Sequence, residues 1–225
     1  MNPLHAIPTT YRGVNFRSRL EAKWASFFDA LHWRWEYEPL DLAGYIPDFI
    51  LPFKHAPLLV EVKPAMQRSE LEEYTKKIEE SGWTGEALIV GARIFDAHDL
   101  GPDYPAIGLL GERISYQGIV GDWRECACLP LDVLEDAARD PRNGTVEVIE
   151  ECVWDAGLLF ECTKCKCVSI HHNSMSWRCR VNGCYDGDHY LGGVPDWLTL
   201  WHDAGNNVQW RAVQPSPFPR RRHRR

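Results

Sequence analysis

The stretch Tyr45-Ile46-Pro47-Asp48-Phe49-Ile50-Leu51 is followed, after a short polar break, by Leu58-Leu59-Val60-Glu61-Val62-Lys63. Both are short apolar runs, and Pro52, Lys54, His55 and Pro57 between them supply turn residues, so the pair reads as adjacent strands joined by a turn. Side chains two apart on a strand share a face, so Glu61 and Lys63 project together while Val62 points into the core. A short hairpin brings Asp48 beside Glu61. Spacing alone describes an ordinary salt-bridged strand face. The apolar run leading into Glu61 changes that, because a carboxylate and an ammonium on a buried strand need a compensating role, and metal binding is a usual one. Two carboxylates at the ends of adjacent strands make a hard-oxygen site suited to Mg²⁺ or Mn²⁺. Such a metal activates water and neutralises charge on a phosphate under in-line attack. Lys63 would orient or help deprotonate that water and stabilise the developing negative charge.

Outward from the hairpin, residues 16–31 carry Leu20, Trp24, Phe27, Phe28 and Leu31 at helical spacing, and Ser18 followed by Glu21 has capping-box spacing. Residues 33–37 alternate aromatic and charged side chains, a strand signature. A second helix is expected from Ser69, with its box at Glu72, its apolar face at Leu71, Tyr74 and Ile78, and its end near Gly82; the pairs Glu72/Lys76 and Glu73/Lys77 support it. Ala87-Leu88-Ile89-Val90 follows as a buried strand. Further strand-like pieces fall at 113–120 and 124–129, and a short helix at 131–138 stops before Pro141. The expected order is helix, three strands, helix, strand.

Composition narrows the function classes. The 225 residues suffice for one substantial domain or one domain with a satellite. No apolar run approaches the roughly 18 residues that span a membrane, and Met1-Asn2-Pro3-Leu4-His5 lacks signal-peptide character, so a cytoplasmic protein with no membrane partner is expected. A net charge of −7 argues against a protein that coats nucleic acid, yet metal-holding carboxylates add negative charge of their own. The run Arg220-Arg221-Arg222-His223-Arg224-Arg225 either offsets that repulsion at long range or is simply a solvated terminus.

Near residue 150 the chain becomes rich in Cys, His, Asn and Gly. Cys162-Thr163-Lys164-Cys165 and Cys179-Arg180-Val181-Asn182-Gly183-Cys184 form two close pairs, and four thiolates from two turns give tetrahedral coordination for a structural Zn²⁺. Gly183 permits the tight turn of the second pair. Cys167, His171, His172 and His189 are rival ligands, while Cys126, Cys128 and Cys152 read as small buried hydrophobes. Trp177, Arg178, Arg180, Tyr185 and Tyr190 either stack on single-stranded nucleic acid or pack around the thiolates. The divisions read as 1–150, a main domain that carries the carboxylate hairpin; 151–192, a zinc-ribbon-like domain; and 193–225, a C-terminal strand-like segment and basic tail.

Pro47-Asp48 followed by Glu61-Val62-Lys63, with a helix before and a helix and strand after, resembles the PD-(D/E)XK nuclease superfamily. The stretch Tyr11-Arg12-Gly13-Val14-Asn15-Phe16-Arg17-Ser18-Arg19-Leu20-Glu21 is similar to small members common in bacteriophage genomes, and the resemblance covers roughly residues 10–95. It implies an α/β fold with a restriction-endonuclease-like core, a mixed central sheet flanked by helices, to which a small C-terminal zinc ribbon is attached. It also implies Mg²⁺- or Mn²⁺-dependent hydrolysis of DNA phosphodiesters in phage recombination, repair or processing, in the host cytoplasm. Catalysis would rest on Glu21, Asp48, Glu61 and Lys63, the three carboxylates binding metal. Glu21 enters by its position on the first helix; a helix cap explains it nearly as well. Arg12, Arg17 and Arg19 near that helix start are candidates for phosphate contact. Some superfamily members carry Gln and Tyr four residues apart on the second helix; Gln67 and Tyr74 are not so spaced, which sets that subclass aside. Homodimerisation and recruitment to a larger phage complex both stay open. The competing class is a nucleic-acid-binding or adaptor protein that uses such a fold without cleaving.

Overall fold

A computed structural model describes residues 6–95, 104–119, 146–174, 179–184, 191–194 and 196–209. The pieces expected at 124–129 and 131–138, Cys126, Cys128, Trp177, Arg178, Tyr185, His189, Tyr190 and the basic run at 220–225 lie outside these residues. In chain order the elements are β1 (Thr9–Tyr11), β2 (Val14–Phe16), α1 (Arg19–Ala30), β3 (Glu36–Tyr37), β4 (Phe49–Leu51) and β5 (Leu58–Val62). A 3-10 segment (Arg68–Tyr74) then runs into α2 (Thr75–Glu79), followed by β6 (Ala87–Phe95), β7 (Ala106–Ile119), β8 (Val146–Cys162), β9 (Val168–His172), β10 (Leu191–Gly192) and α3 (Trp197–Asn207). No helix among the described residues is long and apolar enough to cross a membrane.

The architecture is α/β around a mixed sheet in the order β10-β8-β7-β6-β5-β4-β3, with β9 also paired to β8. Among the described strands only β5 and β6 run parallel, because the 3-10 segment and α2 form the crossover between them. The period-2 rule divides β5 as expected. Leu58, Val60 and Val62 enter the apolar layer under α1 and α3, whereas Leu59 enters the opposite layer with Leu71 and Ile78. Helical cover on both faces leaves β6 buried from Ala87 to Val90.

Helix α1 begins and ends for local reasons. The Ser18 hydroxyl accepts from the Glu21 amide at 3.2 Å, capping the first turn. At the other end His32 takes a left-handed φ of 59°, and the amides of His32 and Trp33 turn back to Asp29 and Phe28 carbonyls at 3.0 and 2.8 Å. That is the Schellman arrangement, with its apolar contact supplied by Phe28 and Trp33, whose rings stack 5.9 Å apart. The buried Trp24 indole donates to the Gly91 carbonyl on β6 at 2.8 Å, fixing the helix against the sheet.

Four expectations differ from what is observed. The second helix opens as a 3-10 segment with its capping box at Gln67 and Glu70, two residues before the expected one, because Glu70 reaches back to the Met66 and Gln67 amides. Of the lysines read in four-residue pairs, Lys76 bonds Glu80 at 3.5 Å instead. Residues 193–225 do not begin as a strand-like segment: Trp197, Leu200, Trp201, Ala204 and Val208 recur at helical spacing and pack as α3 on α1. Trp201 lies 4.6 Å from Trp24 and 5.4 Å from Phe27, and Lys23 places its ammonium 3.5 Å over the Trp201 ring. The segment 151–192 shares the main sheet through β8 and β9 and contributes Leu159 and Ile170 to the layer under α1, so the thiol cluster sits at the end of sheet strands rather than on a separate core.

Candidate functional site

The β4–β5 register pairs Phe49 with Val60, which puts Asp48 opposite Glu61 at the end of the hairpin. Proline at 47 removes a donor just where β4 starts, so Asp48 meets β5 through its side chain: Oδ2 accepts from the Val62 amide at 2.7 Å. Its Oδ1 accepts from Arg17 at 2.9 Å. Glu61 Oε1 meets the Lys63 ammonium at 2.5 Å, and Oε2 accepts from the Tyr45 hydroxyl at 2.8 Å. Glu21 comes to this region from the first turn of α1, its two oxygens accepting from the Ser18 and Tyr37 hydroxyls, each at 2.6 Å. The three carboxylates are 5%, 4% and 8% exposed for Asp48, Glu61 and Glu21. Glu21 takes part in the expected cap, and its side chain is buried as well. Its backbone completes the Ser18 cap, and its side chain turns inward.

Every oxygen of the three carboxylates has a donor, which is how three buried negative groups are tolerated. The electrostatics are nonetheless unrelieved. Burial, then the charge of Glu61, with Glu21 adding to it, push the Asp48 carboxyl up to about 7, against the pull of the Val62 amide and Lys63. A buried carboxyl displaced this far by its neighbours is a mark of functional sites, and hard oxygens with excess negative field suit a divalent cation. The carboxylates are held apart. Among the described residues the only group whose ligand atoms all gather within 4.8 Å is made of cysteines. A cation shared by Asp48, Glu61 and Glu21 would have to displace some of the present donors, and the half-exposed Arg17 and the Lys63 ammonium are the mobile ones.

The arginines part ways. Arg17 bonds Asp48 and Glu38, the latter at 2.7 Å, and Arg12 bonds Asp29 at 3.2 Å while lining an open groove of about 730 Å³ with Trp33, Arg34 and Trp35. Arg19 has its Nε buried with no hydrogen-bond partner among the described residues. Tyr37 and Tyr45 were not singled out from sequence as site residues. Burial and the adjacent carboxylates raise both phenols well above their ordinary range, so they stay protonated donors to Glu21 and Glu61. The aromatic alternation that marked residues 33–37 as a strand was the available signal for Tyr37; nothing local marks Tyr45. Tyr74, whose spacing from Gln67 set it aside, lies 5.1 Å beneath the Lys63 ammonium.

The second cluster is Cys162, Cys165, Cys179 and Cys184, close enough to hold a metal ion. Cys165 and Cys179 sulfurs are 3.7 Å apart, and the edge of a tetrahedron with roughly 2.3 Å metal–sulfur bonds is about 3.8 Å. Gly183 turns at φ 62°, its amide donating to the Cys179 carbonyl at 2.8 Å, so the glycine serves the tight turn expected of it. Cys167 stays out of the cluster and accepts from Asn182 at 3.1 Å; His171 and His172 are buried in β9. Burial opposes ionisation of Cys165, but hydrogen bonds from Asn182, the Cys167 backbone and neighbouring thiols bring it down to about 6, while burial and Cys165 push Cys184 up to about 12. Four sulfurs gathered this closely are the arrangement that a soft cation completes.

No family model, curated protein or solved structure matches the chain.

Proposed function

We propose that this protein is a metal-dependent nuclease of the PD-(D/E)XK kind, hydrolysing DNA phosphodiester bonds with Mg²⁺ or Mn²⁺ on a restriction-endonuclease-like core, in phage recombination, repair or processing. The observation that carries the reading is the β4–β5 register, which sets Asp48 against Glu61 with Lys63 bonded to the same carboxylate. A divalent ion bound there supplies charge neutralisation at the phosphate and lowers the pKa of water. Asp48 and Glu61 would hold it, with Glu21 completing the set from α1. Released from Glu61, Lys63 is placed to hold the attacking water and the charge that develops on the phosphate. The Tyr45 and Val62 donors keep each carboxylate aimed meanwhile. Zn²⁺ at Cys162, Cys165, Cys179 and Cys184 is structural in this reading, since four thiolates leave no open position.

The test is a panel of labelled single-stranded, duplex and branched DNA, with RNA alongside, incubated with and without Mg²⁺ or Mn²⁺. Cleavage that is lost in Asp48→Ala and Lys63→Ala, with unchanged circular dichroism, is the expected result. No cutting of any substrate sinks the proposal. The adaptor reading draws on a specific observation, the occupation of every carboxylate oxygen by a donor. It predicts DNA binding that is indifferent to Mg²⁺.

A further inference from the structure

Arg180 lies inside the second cysteine pair, yet its side chain is among the most buried in the protein, 1% exposed. It enters the sheet interior and donates from Nε to Glu86 at 2.6 Å, from Nη2 to Glu112 at 2.7 Å, and from Nη1 to the Ile170 carbonyl at 3.1 Å. Glu86 directly precedes β6 and Glu112 lies on β7, 94 and 68 residues away from the arginine they share. The Arg180 amide is held in turn by the Ser169 hydroxyl of β9 at 2.9 Å. Two buried carboxylates therefore draw a cation from the cysteine loop. Withdrawing that cation takes from both carboxylates the charge it brings, and removing one partner of a buried ion pair is the costly way to break it.

The same loop touches the hairpin that carries Asp48 and Glu61. The Lys54 amide donates to the Val181 carbonyl at 3.0 Å and the His55 amide to the Arg180 carbonyl at 3.3 Å, both from the turn joining β4 to β5. From the other side, the Leu59 amide of β5 donates to the Glu86 carbonyl at 3.2 Å. The loop has little apolar support of its own: its cluster consists of Phe160, Cys162 and Cys179, fringed by Cys165, Val181 and Cys184.

We propose that metal at the four cysteines is a latch for the carboxylate hairpin: it holds the 179–184 loop closed, so that Arg180 stays between Glu86 and Glu112 and the β4–β5 turn stays docked. Loss of the metal frees the loop, withdraws Arg180, and loosens β4 and β5 from their turn end. This rests on the sulfur site holding metal and is independent of nuclease activity.

The test uses the full chain. Colorimetric release with a thiol-reactive reagent and a zinc indicator gives the metal content, expected at one equivalent. Amide hydrogen exchange is then followed with zinc bound, after chelation in Mg²⁺-free buffer, and after zinc is returned. We expect protection in residues 49–62 to fall at least tenfold on chelation and to recover with zinc, while α1 and α3 keep theirs. A neutral replacement of the buried triad, Arg180→Met with Glu86→Gln and Glu112→Gln, should fold with zinc and show a much smaller change at 49–62 on chelation. A chain purified without metal overturns the latch while leaving the Asp48 site reading intact. So does unchanged protection at 49–62, or a uniform loss across the whole chain, which would mean that metal merely folds the protein.

Discussion

Replacing Asp48 by asparagine should stabilise the protein while disabling its proposed metal site. The carboxyl sits near 7 in the folded chain against an ordinary value of 3.8, so the folded state binds the extra proton between those limits and stability falls as pH rises through that window. At 1.36 kcal/mol per pH unit the whole window corresponds to on the order of 4 kcal/mol, fully felt above pH 7. Asparagine removes the charge and keeps an oxygen for the Val62 amide. Its new NH₂ faces the Arg17 guanidinium, but that side chain is half exposed and retains Glu38 at 2.7 Å, so the loss there is at most about 1 kcal/mol. Urea unfolding of zinc-loaded protein in Mg²⁺-free buffer should give Asp48→Asn an advantage of about 2–4 kcal/mol at pH 8, shrinking to nothing below pH 4. Millimolar Mn²⁺ should raise the midpoint of the parent chain and leave the variant unmoved, since a ligand stabilises only the state that binds it. A variant less stable than its parent at pH 8, or equally stabilised by Mn²⁺, would refute the reasoning.

Tyr37→Phe leaves one Glu21 oxygen without its hydroxyl donor and should cost about 1–2 kcal/mol, read as a drop of a few degrees in melting temperature; no change would mean that Glu21 is solvated rather than held. Trp201→Ala empties the space against Trp24 and Phe27 and should cost about 3–5 kcal/mol in urea unfolding, whereas a value near zero would detach α3 from the core. His171, completely buried, is held down to about 4 by desolvation, so its contribution is complete above its ordinary 6.5 and lost as pH falls through that interval. In the Asp48→Asn background, which lacks the opposing carboxyl, stability should drop by on the order of 3 kcal/mol from pH 7 to pH 4; a flat profile would contradict this.

The hairpin was legible because both of its determinants are local: a turn between two apolar runs and a period of two that sets which side chains share a face. The four cysteines were legible by spacing, and α1 by its apolar stripe and Ser18 cap. Helix α3 was equally written in the spacing of Trp197, Trp201, Ala204 and Val208, which contradicts the strand-like segment expected at 193–225, while the cysteine-rich composition of 151–192 pointed to a separate small domain. Composition reports what a segment contains and not which sheet it joins, and β8 carries Leu158, Leu159 and Phe160 into the main one. Arg180 and Tyr45 could not be found in this way. Their roles exist only through partners brought together by the fold, and for Arg180 the sequence offered only contact with nucleic acid or packing around the thiolates.

The packing of Trp201 on Trp24 has a consequence for the order of events during synthesis. The two residues are 177 positions apart, so at about 5–20 residues per second the partner of α1 emerges roughly 9–35 s after the helix itself. Throughout that interval the nascent helix presents Trp24 and Phe27 without their cover, a surface that chaperones recognise. The helix that carries Glu21 thus gains its α3 cover long after Arg17, Asp48, Glu61 and Lys63, which meet one another within a stretch of chain that is made early.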